Sequence, residues 1–491
     1  ALTLNTTGAS NVAVGLSALQ SNTTASNNTA VGFQALITNT TGYNNVAVGH
    51  TALGANLTTV NNVAVGYAAL ALNVNHNNTA CGYNALAANT TGTALSALGS
   101  GALAVNTTAS YNTAVGYNSL AANTTGYNNT AMGYAALTTN TTGVHNQAFG
   151  MYALALNTTA SHNTAMGYAA LNANTTGASN VAVGNYALDA NTTAASNVAV
   201  GYGALGVVTT VGSMTAIGSA ALAANTSGYG STAVGAATLD ANTTGNLNTA
   251  VGQSALGANT TGGYSTAVGA SALLTSTTAD SNTAVGYGAL YSNTTGASNA
   301  AIGRSALYTN TTGTRNHAIG MGALQTNTTG SYNSAMGYYT LQLNTTASYN
   351  TAIGDTSLYS NTTGANNTAV GYSALYTSTT GASNTAIGFQ ALDSNTTGHN
   401  NVAVGYAAFN AVNTGGQNVA IGTYAGQTLT TGTYNVYIGY NNNPSAVGVT
   451  TEIVIGTGNH TGKGTQTGFI APAAGAVYQG NNSTAWTATS D

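Results

Sequence analysis

Any chemistry this chain performs must come from very few side chains. Its 491 residues include seven acids, Asp189, Asp240, Asp280, Asp355, Asp393, Glu452 and Asp491. The closest two, Asp355 and Asp393, stand 38 residues apart. Paired carboxylates of the kind that hydrolyse glycosidic bonds are therefore missing from the sequence, and no enzymatic activity is expected. His145 and His162 are 17 residues apart. Two imidazoles with no acidic neighbour fall short of a metal-ligand set, so they read as stacked surface rings. Cys81 is the only cysteine, which excludes an intrachain disulfide. It stands where other copies of its local pattern carry Val or Ile, so it reads as a small core residue. Arg304, Arg315 and Lys463 are the whole basic set. Nucleic-acid affinity needs clustered Lys and Arg, so no nucleic-acid partner is expected. No phosphate loop, dinucleotide fingerprint or zinc spacing occurs, and no cofactor or metal is expected.

Three further residue patterns could carry function. Asn-Thr-Thr recurs at Asn22, Asn39 and their equivalents. It is an acceptor sequon for glycosylation, but stacked asparagines also bond along a pile of strands, and the ladder accounts for the residue alone. Rows of threonine raise ice binding as a remote alternative. Adjacent threonines such as Thr40 and Thr41 tend to point opposite ways, which weakens that alternative. Tyrosines such as Tyr67, Tyr83 and Tyr117 read as rings packed lengthwise with hydroxyls at water, or as a sugar-stacking stripe. Trp486 is the single tryptophan and the first candidate for receptor contact.

What must position these residues is a repeat. Twenty-seven glycines recur from Gly15, Gly32 and Gly49 to Gly456, 17 residues apart except for one 16-residue step, Gly66 to Gly82. Each closes a short apolar run such as Thr29-Ala30-Val31-Gly32. A repeat this short cannot close its own core and must stack on its neighbours. Gly, Asn, Thr and Ala replace the charged residues, which are 2% of the chain against about 25% in ordinary domains. Asn, Thr and Gly oppose helix. The pattern predicts an all-β parallel β-roll or β-solenoid of 17-residue turns. Each turn is expected to hold one strand over Thr29–Val31 and a second over roughly Gln34–Ile37, with a corner at Gly32 between them. At about 4.8 Å per turn the glycine row predicts a rod of roughly 125 Å.

Large residues (Val31, Leu36) and small ones (Ala30) alternate, so both strand faces read as apolar. A lone solenoid needs to bury only one face. The second asks for partner chains, and a homotrimer is the expected assembly. No run of 18 apolar residues exists, so no membrane insertion is expected. The chain starts in mid-repeat, and a preceding attachment segment is expected. The pattern degrades after Gly422, where Tyr437 and Val454 replace the usual Ala and Pro444 appears. The sequence thus divides into a shaft, 1–423, and a C-terminal cap or tip, 424–491.

With these residues in view, the repeats resemble the left-handed β-roll heads of trimeric autotransporter adhesins, whose repeats are shorter. They look more like the repeat-bearing tail fibres of bacteriophages. The last 70 or so residues are similar to the segment preceding the self-cleaving intramolecular chaperone of tail fibres and endosialidase tailspikes. The resemblance implies that Ser490 is the cleavage nucleophile of a removed chaperone, with Asp491 beyond the cut. It also implies a virion-surface fibre whose tip, around Trp486, meets a bacterial surface glycan or protein receptor. The alternative it leaves open is an extracellular or cell-surface adhesin or filament.

Overall fold

The computed structural model describes residues 1–472, 475–480 and 483–489. It is all-β, with no helix among the described residues, and its 17-residue turns pair in parallel as a β-solenoid. The chain divides into two compact units, Ala1–Leu247 and Asn248–Asp491.

In the first unit, three-residue strands run from Val12–Val14 to Thr232–Val234. Within the unit successive strands pair in register, as Ala13 with Ala30 and Val14 with Val31. The 16-residue step does not disturb this register, since Val65 still pairs with Cys81. The missing residue comes out of the polar loop, where Asn73 and Asn78 are five apart and Asn39 and Asn45 are six apart. In the second unit the parallel register runs from Thr249–Val251 past Gly422 to Val436–Ile438, Ile453–Gly456 and Gly468–Ala471. Only then does pairing turn antiparallel, through Ala476–Gln479 and Thr487–Thr489.

The turn around Gly32 shows why these residues fold this way. Thr29–Val31 is extended. Gly32 then takes φ +134°, and a Cβ built on it would lie 2.5 Å from the carbonyl oxygen of Gly49. No side chain fits there, so the glycine recurs in every turn. The expected second strand over Gln34–Ile37 is not a strand. Gln34 (φ 56°) and Leu36 (φ 51°) are left-handed, which costs non-glycine residues about 1–2 kcal/mol each. The conformation turns Ala35 and Leu36 both inward, to full burial. It also lets the Leu36 N–H donate to the Ala52 carbonyl of the next turn (3.0 Å). An extended segment would have sent Ala35 and Leu36 to opposite faces.

The core is accordingly built from Ala30, Ala35 and Leu36, all fully buried, and from their equivalents in the stacked turns. Two asparagine columns complete it. Asn39 Nδ2 donates to Asn22 Oδ1 one turn back (3.2 Å) and to the Gly42 carbonyl (2.9 Å). The second column includes Asn28, whose Nδ2 donates to the same Gly42 carbonyl (2.8 Å) while its Oδ1 accepts the Asn45 N–H (2.9 Å). Buried amides are tolerable only when bonded in this way. The large residue before the glycine lies elsewhere. Val31 points outward and is half-buried, as is Cys81. The expectation that Cys81 fills the core is therefore corrected: its column is the outer face of the strand.

Candidate functional site

The structure separates three surfaces and one buried cluster. The first surface is the outer face of the strands. In each unit the column before the glycine presents large apolar side chains, interrupted in the first unit by Cys81; they include Val14 at 58% exposure, Ile302 at 42% and Met336 at 48%. The column two residues earlier adds Thr and Val, such as Thr266 and Val402. Scattered exposed aliphatics need no explanation, but a continuous row does.

The second surface is aromatic. Tyrosines following the glycine stack along a unit, Tyr67 on Tyr83 at 5.3 Å and Tyr372 on Phe389 on Tyr406 at 5.2 and 5.1 Å. Their interplanar angles are 3–17°. Faces covered by neighbouring rings cannot receive a sugar, so these stretches are structural. Elsewhere the ladder zigzags: Tyr152 and Tyr186 stand edge-on to Tyr134 and Tyr168. Burial and contact with Tyr134 raise the pKa of Tyr152, and Tyr186 is raised likewise beside Tyr168. His145 and His162 stack at 5.1 Å and 8°. The described residues contain no cluster of three or more His, Cys, Asp or Glu able to hold a metal ion.

The third surface is the polar loop. Asn22 and Asn39 are fully buried, and their amide nitrogens are committed to the ladder. A glycan on that nitrogen would break the core, so the folded turn is not a glycosylation acceptor. The first threonine of each pair also bonds along the column, as Thr40 Oγ1 donates to the Leu57 carbonyl (3.1 Å).

The buried cluster lies where the repeat changes. Tyr437 takes the place of the core alanine and is fully buried. Its ring meets Phe409 edge-on at 5.9 Å. Room comes from Gly426, where a Cβ would lie 2.4 Å from Phe409. Glu452, also fully buried, replaces the second-column asparagine: its N–H donates to Asn435 Oδ1 (2.8 Å) as a ladder asparagine would. Its carboxylate accepts from the Tyr437 hydroxyl (3.0 Å) and the Ser445 and Gly464 N–H groups (3.1 and 2.7 Å). Burial, then the neighbouring Glu452 charge, pushes the Tyr437 pKa far up, so it donates as a neutral phenol. The carboxylate thereby ties two loops, around Ser445 and Gly464, to the last regular turns.

Beyond it, Lys463 Nζ sits 4.8 Å from the centre of the Phe469 ring, and His460 meets the same ring edge-on. Trp486, the sequence candidate for receptor contact, is 48% exposed. Its ring edge packs over Gly468, where a Cβ would lie 2.9 Å away. Its partly open ring leaves it accessible to a ligand. Ser490 and Asp491 lie outside the described residues. Sequence reading missed Glu452 as a site, although its place in the asparagine column, four residues before Gly456, was a readable signal. It also missed the second asparagine column for lack of a sequon to mark it. No helix among the described residues is long and apolar enough to cross a membrane. The chain matches no protein-family model, and comparison with curated proteins and with solved structures found no match.

Proposed function

We propose that this chain is a structural fibre protein that adheres to a bacterial cell surface, as a bacteriophage tail fibre does. It associates through the outer faces of its strands, as a homotrimer, and recognises a surface glycan through its C-terminal cap. The outward aliphatic row carries this reading. The row repeats once per turn, about every 4.8 Å, so a partner must share that period to match it over any length. A second copy of this chain has that period. With 2% charged residues, two copies meet no electrostatic barrier to side-by-side packing. In this reading the repeat supplies reach, the protein is not an enzyme, and its place is on the virion. The resemblance of the repeats and of the C-terminal segment to phage fibres supports the virion over a cellular filament.

Two variants test the two halves of the reading. Replacing Ile302 and Ile353 by aspartate puts charge on the outer face without touching the core. Assembly is expected to fall to single chains with β-sheet circular dichroism retained, and an unchanged assembly would refute the packing face. Trp486→Ala is expected to abolish retention on host cells. Full retention by a folded variant would remove Trp486 from recognition.

A further inference from the structure

A discrete cleft in the first unit lies far along the sequence from the cap. It measures about 480 Å³ and is lined by Thr108, Ser110, Tyr111, Thr125, Tyr127 and Asn128, within the range of about 300–1,000 Å³ usual for small-molecule sites. Two adjacent turns build it. Tyr111 shares a column with Asn128, and Tyr127 shares the neighbouring column with Ser110. The two rings therefore sit on one diagonal and two short polar side chains on the other. This differs from Tyr332 and Tyr349, which share a column and cover each other's faces at 5.0 Å.

Tyr111 is 63% exposed and Tyr127 46%. Tyr127 is braced on one side by the edge of His145 at 5.5 Å. The backbone below is fixed, since the Tyr111 N–H donates to the Thr93 carbonyl (3.1 Å) and Ser110 Oγ accepts the Thr93 N–H (3.1 Å). Thr107 and Thr124 spend their hydroxyls on the ladder. The Thr108 and Thr125 hydroxyls and the Asn128 carboxamide make no hydrogen bond among the described residues and are free for a ligand. Residues 1–188 contain no Asp, Glu, Lys or Arg.

We infer that this cleft binds a neutral pyranose. Exposed tyrosine faces suit the C–H face of a sugar ring, and uncharged hydroxyl and amide groups at the rim suit its hydroxyls. The lack of any charge nearby disfavours anionic sugars and phosphates. The site stands apart from recognition at the cap, and repeated copies in an assembly would raise avidity.

Saturation-transfer NMR on the full chain tests it, with maltohexaose, cellohexaose and hexa-N-acetylchitohexaose as neutral probes and an oligogalacturonate as the anionic one. At least one neutral probe is expected to bind with Kd on the order of 1 mM. Tyr127→Ala should weaken it about tenfold, Asn128→Ala about threefold, and Trp486→Ala not at all. Transfer to none of the neutral probes would overturn the proposal, as would transfer undiminished in the folded Tyr111→Ala/Tyr127→Ala double variant. Equal binding of the oligogalacturonate would overturn the charge argument. Loss of host-cell retention in Trp486→Ala with these signals intact, or the reverse, separates the two sites.

Discussion

Two stretches of the second unit solve the same packing problem differently. In the regular turns the core is Ala and Leu, and buried polarity is neutral: asparagine donates to asparagine, as Asn344 to Asn327 and Asn361 to Asn344, each 2.8 Å. At 436–467 the core holds Tyr437 and the buried polarity is a carboxylate with three donors. The regular turn bonds only to its two neighbours. Glu452 instead gathers groups from three different places in the chain, so it can anchor loops that no longer repeat. The repeat copies one bonding pattern, and departing from it admits a different one.

The largest effect should come from the glycine row. In Gly371→Ala the new Cβ would lie 2.4 Å from the Gly388 carbonyl oxygen at φ +134°. A cost of about 3 kcal/mol or more is expected, read as a new low-temperature unfolding step. Gly464, beyond the regular turns, has a similar φ, +117°, but nothing within 4 Å, so Gly464→Ala should cost only about 1–2 kcal/mol. Equal costs would show that stacking distance does not distinguish the two regions.

Next comes the buried cluster around Glu452. Glu452→Ala strands the Tyr437 hydroxyl and two backbone N–H groups, a loss of about 2–4 kcal/mol. Proteolysis should then open 440–467 while the circular dichroism of the regular turns is unchanged. Continued protection of 440–467 would contradict the anchoring role.

The ladder itself can be sharpened by repair. Ser378 interrupts the asparagine column, leaving Asn361 Oδ1 and Ser378 Oγ without partners. Ser378→Asn should raise stability by about 1–2 kcal/mol, seen as a higher denaturation midpoint. A lower midpoint would mean the column cannot accept the amide.

The smallest effect is a pH dependence. Partial burial raises the Asp393 carboxyl above its ordinary range. Its contribution to stability is thus full below the usual carboxylate pKa of about 3.9 and is lost as pH rises through the raised value. Asp393→Asn should remove a shallow fall in melting temperature from acid toward neutral pH. An unaltered pH profile would exclude Asp393 as its source.

Much of this architecture was legible in the sequence because the period writes each structural demand many times. The glycine corner, the parallel register and the Asn39 column follow from spacing alone. The inner side of the turn did not, because alternation assumes extended backbone and Leu36 is left-handed. The reading of Cys81 as a core residue failed separately, because its column lies on the outer face of the strand. The chemistry at the end was hidden for the opposite reason: Glu452 and Tyr437 occur once, and their pairing depends on a fold that brings position 437 beside 452. The Tyr111–Tyr127 cleft is a diagonal relation between turns, visible only once the columns are known.

The outward aliphatic row is tested most directly by the mass of the unaltered protein under native conditions. A species of three chains is the result expected. A single chain, with that row left open to water, would contradict assembly through the outer face.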